Sequence, residues 1–156
     1  MAGRVGAAYR RRPAAANKAA FRAIVEDWGT PGLLAFDGEC PVGWCQVTPR
    51  DELPALDRVP HLKRVDDVPV WSLSCFYVRI GYRRKGVTKA LIREALKMAK
   101  RANAPALEAY PFDATVSPSA SSTGYATTFK RMGFKVVARR IAARPILRHD
   151  LKKIAG

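Results

Sequence analysis

The residues best suited to chemistry are Arg83, Arg84, Lys85, Gly86, Val87, Thr88 and Lys89. Upstream, Val70 to Val78 is rich in Val, Trp, Leu, Phe and Tyr and reads as a central strand. Downstream, Val87, Leu91, Ala95, Met98 and Ala102 trace one face of a helix that ends near Asn103 and Pro105. A tight basic turn between a strand and a helix leaves backbone N–H groups pointing outward at the positive end of the helix dipole. Cationic side chains stand beside them, an arrangement built to hold a pyrophosphate. Gly86 lets the backbone approach the phosphate, since it has no Cβ.

The flanking elements must hold that turn in place. Pro13 suits a helix start, and Ala16, Ala20, Phe21, Ile24 and Trp28 recur at helical spacing, so one helix is predicted over 13–28. Leu33 to Phe36, the turn Asp37-Gly38-Glu39 and Val42 to Thr48 read as a β-hairpin. Four prolines break residues 49–69 into a surface excursion, with room for a short helical turn. A strand is predicted over Leu107 to Phe112, a Ser-rich loop over Pro118 to Ser122, and a short helix over Tyr125 to Met132, closed by Gly133. Two last strands follow, Phe134 to Ile141 and Ile146 to Leu151. This order makes an α/β (α+β) sandwich, a central mixed, mostly antiparallel sheet with helices on both faces. The long helix is the crossover between two neighbouring parallel strands. Residues 1–12 read as a basic N-terminal segment free to be flexible, and 13–156 as a single domain.

The chain of 156 residues carries 28 Lys and Arg against 13 Asp and Glu, a formal net charge of +15. A surface so basic attracts anions: nucleic acid, a membrane surface, an acidic protein, or a ligand with several phosphates. Arg4, Arg10, Arg11, Arg12, Lys18 and Arg22 all precede the first acid, Glu26. That bias also fits a transit peptide by composition, but the stretch from Pro13 onward reads better as part of the fold. Cys40, Cys45 and Cys75 form no C-x-x-C pair, and neither His61 nor His149 sits in a metal-binding or triad-like pattern, so no metal is expected. Reduced thiols suit a cytoplasmic chain. No apolar run reaches the roughly 20 residues a bilayer requires. The absence of a G-x-S-x-G elbow leaves a hydrolase reading without support.

Arg83-x-x-Gly86-x-Thr88, between its strand and helix, resembles the Q/R-x-x-G-x-G/A signature of the GNAT superfamily of acyl-CoA-dependent N-acetyltransferases. Val42-Gly43-Trp44-Cys45, Val70-Trp71-Ser72 with Cys75-Phe76, Glu108-Ala109-Tyr110-Pro111 and Gly133-Phe134 are similar to phrases of one bacterial branch of it. The similarity spans roughly 13–151. Two positions depart from the pattern: Thr88 replaces the second small residue of the signature, and Phe129 stands where the superfamily often has a tyrosine. That fold usually opens with another strand. Ahead of Pro13 it is missing, short or supplied differently.

The resemblance implies acetyl-CoA as donor and an amine as acceptor. It implies central strands that splay, with unpaired backbone near Phe76, Tyr77 and Val78 for the pantetheine arm. The pyrophosphate would rest on the amides of Arg84, Lys85, Gly86, Val87 and Thr88, its charge offset by the side chains of Arg83, Arg84, Lys85 or Lys89. An amine with a pKa of ~10 is almost wholly protonated at neutral pH and needs a base. Glu108, facing the splay, is the first candidate base and Asp113 the second. The bland alternative for Glu108 is an exposed or salt-bridged strand carboxylate. An amide near Tyr77 or Val78 would hold the oxyanion.

With Phe129 unable to donate a proton, Tyr125 is the nearest acid and Tyr110 a weaker one; each also reads as an ordinary packing tyrosine. Cys75 offers a covalent acetyl-cysteine route, or is simply a core thiol. Asp51, Glu52, Asp66 and Asp67 could line a pocket for a polyamine-like acceptor, or be solvated loop charges. Two readings compete with the enzyme: a nucleic-acid-associated basic protein on the same fold, and a non-catalytic acyl-CoA sensor. Such proteins occur as monomers or homodimers.

Overall fold

The computed structural model describes residues 7–116 and 121–151. A short helix α1 (Ala8–Arg11) precedes α2 (Ala14–Trp28), and β1 (Gly32–Asp37) and β2 (Cys40–Pro49) form the expected hairpin around Gly38, whose φ is 58°. Three 3-10 turns, Arg50–Glu52, Pro54–Arg58 and Pro60–Leu62, make up the excursion. Then come β3 (Trp71–Val78), α3 (Val87–Arg101), β4 (Ala106–Ala109), α4 (Ala126–Arg131), β5 (Lys135–Ala138) and β6 (Ile146–Asp150). The basic N-terminal stretch is therefore partly helical. The Ser-rich loop lies in part outside the described residues.

The six strands form one mixed sheet in the order β1-β2-β3-β4-β6-β5. Only β3 and β4 are parallel, joined by α3, as the crossover rule predicts. Strand alternation sends Cys45, Val47, Leu73, Leu107, Ala109 and Leu147 into one core with Leu91, Ile92, Ala95 and Ala99 of α3 and Phe129 of α4. On the opposite face α2 sets Phe21 edge-on against Trp44, ring centroids 5.9 Å apart. The excursion covers the rest of that face, where Leu62 packs with Tyr110 and Ile146. No helix among the described residues is long and apolar enough to cross a membrane.

β3 carries one more residue than β2 in their ladder. Gln46 faces Cys75 while the next residue, Val47, faces Leu73, so Ser74 is bulged out. A bulge bends its strand and interrupts pairing. On the other side, β3 pairs with β4 at only three positions, Trp71 with Leu107, Ser72 with Glu108 and Leu73 with Ala109. Beyond Ala109 come Tyr110 and Pro111, and proline has no N–H to donate. Phe112 instead pairs with the chain entering α4, donating to Gly124 at 2.9 Å and accepting from Ala126 at 2.8 Å. The strand predicted over 107–112 therefore stops at Ala109, and β3 and β4 part in a V. The last two strands are likewise shorter than predicted, β5 ending at Ala138 before the turn that holds Arg139 to Arg144.

Gly43 fixes how closely α3 lies on the sheet. A Cβ there would stand 2.7 Å from Val87 Cγ1 and 3.3 Å from the Tyr77 carbonyl oxygen. Overpacking of this kind typically costs about 1–3 kcal/mol. Gly43→Ala is expected to lower unfolding stability by that amount in urea titration, with an unchanged m-value.

Candidate active site

The V between β3 and β4 opens into a cleft of about 770 Å³. Its walls are Phe76, Tyr77 and Val78 from β3; Tyr82, Arg83, Arg84, Gly86, Val87, Thr88 and Lys89 from the basic turn and α3; and Ser121, Ser122, Gly124, Tyr125 and Thr128 from the segment leading into α4. Of the residues expected to hold a cofactor, the structure brings together all except Lys85, whose ammonium sits 5.5 Å from the centre of the Tyr82 ring.

The turn is shaped by sequence. Ile80–Tyr82 is a 3-10 turn, Arg84 has φ 61°, and Gly86 caps α3 with φ 85° and ψ 1°. Left-handed residues let successive amides converge on one point, the geometry of an anion nest. Ala90 is the first residue of α3 whose amide bonds back, to the Gly86 carbonyl at 3.0 Å. The amides just before it are left at the positive end of α3, whose first turn contains no acidic residue. Tyr82 ties the turn to the hairpin by donating to Asp37 at 3.0 Å.

The backbone expected to be free along β3 is partly engaged. Phe76 N–H donates to the Ser122 carbonyl at 2.6 Å, and the Val78 carbonyl accepts from Arg83 Nε at 3.3 Å. The segment before α4 thus reaches across the V and closes part of it, because an unpaired strand amide is costly wherever it is buried.

Glu108 does not line the cleft. It is buried on the opposite sheet face, where Oε1 accepts from Arg148 Nη2 at 2.6 Å and Nε at 3.0 Å, and Oε2 accepts from Tyr110 OH at 3.1 Å. Arg148 also grips Asp66, which holds that carboxyl below the usual range. The Tyr110 hydroxyl lies 2.6 Å from Ser72 Oγ, and burial, then the Glu108 charge, pushes its pKa up. Ser72, Tyr110 and Glu108 so form a buried polar chain at the base of the V. Arg50, also buried, reaches the same hydroxyl at 3.4 Å and spends another N–H on Asp57 at 2.6 Å. No pattern in the sequence marks Ser72 or Arg50, since strand register brings Ser72 into the network and the fold of the excursion brings Arg50.

Asp113 also stands apart from the cleft. It is ion-paired with Arg139 at 2.7 Å and Lys130 at 3.4 Å, and Arg139 above all holds its pKa below the ordinary carboxylate range. Tyr125 does line the cleft, and its hydroxyl donates to the Val116 carbonyl at 2.9 Å. Phe129 is fully buried between Phe76 and Phe134, with centroids 6.0 and 5.1 Å away. A hydroxyl there would need a buried partner. Burial raises the pKa of the Cys75 thiol, the opposite of what a nucleophile needs.

A sheet opened between its two parallel strands, with the opening bounded by a basic helix N-terminus, defines an α/β protein suited to an elongated, phosphate-bearing ligand. The chain belongs to the acetyltransferase (GNAT) family, whose model matches residues 6–134. Among solved structures it resembles an N-acetyltransferase from Staphylococcus aureus Mu50, with a TM-score of 0.59 and 15% identity over 90% of this chain and 79% of that one. It is also similar to the acetyltransferase YncA of Salmonella typhimurium, crystallised with acetyl-CoA, with a TM-score of 0.57 and 16% identity over 90% and 76% of the two chains. A PaiA N-acetyltransferase of Thermoplasma acidophilum, crystallised with coenzyme A, matches with a TM-score of 0.55 and 16% identity over 86% and 70%. No curated protein sequence matches the chain.

Gly86→Val would force a β-branched residue into a left-handed conformation, at a cost of roughly 1–2 kcal/mol. It is expected to abolish binding of a pyrophosphate-bearing ligand such as coenzyme A in calorimetry, while the far-UV spectrum stays unchanged.

Proposed function

We propose that the protein is an N-acetyltransferase that moves the acetyl group of acetyl-CoA to a primary amine by direct attack. The observation that carries this reading is the cleft itself, open between β3 and β4 and bounded by the basic turn. The named complexes of its structural relatives with coenzyme A and acetyl-CoA support the same donor. The pyrophosphate is received by the turn amides and by Arg83, Arg84 and Lys89. The pantetheine arm runs along Phe76 to Val78, exchanging its own amides for the Ser122 carbonyl and the Arg83 guanidinium.

The acceptor nitrogen attacks the thioester carbon, the carbonyl electrons collect on oxygen, and the C–S bond breaks as the carbonyl re-forms. A strand amide near Tyr77 or Val78 stabilises the oxyanion. Tyr125, at the cleft wall, supplies a proton to the departing thiolate. Water in the cleft takes the proton lost by the amine, since Glu108, its oxygens occupied by Arg148 and Tyr110, lies buried away from the cleft with Ser72 and Tyr110.

Two experiments test this reading. In calorimetry, acetyl-CoA should bind saturably with micromolar affinity and survive raised salt; failure to bind would remove the donor assignment. Tyr125→Phe should lower kcat about 100-fold with acetyl-CoA affinity intact. An unchanged kcat would remove Tyr125 as the acid.

A further inference from the structure

β3 reaches the cleft only after its bulge, and the bulge has a side-chain anchor. By strand alternation Gln46, between the core residues Cys45 and Val47, points to the sheet face away from α3. Ser74, the extra residue of β3, reaches it there: its Oγ donates to Gln46 Oε1 at 3.3 Å. Gln46 itself is paired on both sides, with Gly32 of β1 and Cys75 of β3. Ser74 is thereby tied to a fixed point inside the sheet. Folding alone does not account for this choice of residue. Gln46 is 2% exposed, and its Nε2 is buried with no partner among the described residues. A buried donor left unsatisfied opposes folding, and an apolar side chain of similar size would avoid that cost.

What the bond between Ser74 and Gln46 fixes is register. Before the bulge Leu73 faces Val47; after it Cys75 faces Gln46 and Phe76 faces Cys45. A slip of one residue would turn each later N–H and carbonyl to the other edge of the strand, and each side chain to the other face. With the bulge in place, Phe76 N–H and the Val78 carbonyl lie on the cleft edge, where they meet Ser122 and Arg83. The Phe76 ring then sits against Phe129, with centroids 6.0 Å apart. With Ser74 drawn into the ladder, Phe76 would take the place of Tyr77, its N–H turned to β2 and its ring turned out of the core.

We propose that Gln46 is a positioning residue for acetyl transfer: through Ser74 it locks the bulge that decides which backbone groups of β3 meet the thioester end of the donor. This rests on the acetyl-transfer reading and deepens it. The turn amides that receive the pyrophosphate stand beyond the other end of β3, after Val78. Loss of the lock therefore falls on the reacting end of the donor and spares its affinity.

The test uses the full chain. Gln46→Leu should leave unfolding stability in urea unchanged or raised, since it removes the unsatisfied donor. It should keep acetyl-CoA affinity within about threefold in calorimetry and lower kcat about 10- to 100-fold, the scale of a slightly misplaced reacting group. Ser74→Ala should reproduce the defect, and the double variant should be no worse than either single one. Ser74→Thr, which retains a hydroxyl, should keep most of the rate. Amide exchange reads the same lock without turnover: in the free protein, Phe76 N–H should exchange at least about 10-fold faster in Gln46→Leu than in the unmodified chain. Parallel losses of stability and kcat in Gln46→Leu, with Ser74→Ala silent, would make Gln46 a packing residue and overturn the proposal. Acetyl transfer by the unmodified chain, with kcat and Phe76 exchange unchanged in both variants, would overturn this proposal alone. Failure of the unmodified chain to bind acetyl-CoA would overturn acetyl transfer with it.

Discussion

The structure depends on one interruption in hydrogen bonding. Ser74 is extra to the ladder between β2 and β3, and Pro111 cannot donate from the far side, so β3 and β4 share only the three pairs from Trp71 to Leu73. Here β3 runs on to Val78 with nothing from β4 beside it, and the gap becomes the cleft. The bulge also moves Cys75 to the face of Gln46 and sends Phe76 into the core with Phe129. Each wall of the cleft is thereby anchored in the packed interior.

The basic turn is useful because that gap opens beside it. Gly43 lets α3 approach β2, Gly86 caps α3, and Tyr82 fastens the turn to Asp37, so the free amides of α3 face the same opening as the end of β3. Phe129 belongs to the same arrangement. It fills the space under the V with aromatic surface and leaves Tyr125, one turn earlier, as the tyrosine at the cleft wall. On the opposite face Arg148 pairs with both Asp66 of the excursion and Glu108 of β4, while Arg50 pairs with Asp57 within the excursion.

What could be read from the sequence was governed by local rules. The hairpin around Gly38, the amphipathic α3 and the strand-to-helix turn follow from turn chemistry and periodicity, and the structure has all three. The family resemblance rests on the same stretch, and the match over 6–134 agrees with it. The missing parts depended on contacts between distant segments. The strand over 107–112 was too long because Pro111 matters only beside a bulged neighbour. Glu108 was expected at the splay, yet strand register points it to the far face, where Arg148 arrives from a strand 40 residues later. The Ser122 carbonyl on Phe76 N–H could not be foreseen from residues 46 positions apart.

The central claim is that the V between β3 and β4, with the turn at its mouth, is the seat of coenzyme A. Residue-resolved hydrogen exchange with and without coenzyme A tests it most directly. The account predicts protection concentrated on the amides from Arg84 to Lys89 and on Val78, with altered exchange at Phe76 as its bond to Ser122 is replaced. Protection confined to α1, α2 or the β5–β6 turn, with the 84–89 amides unchanged, would contradict it.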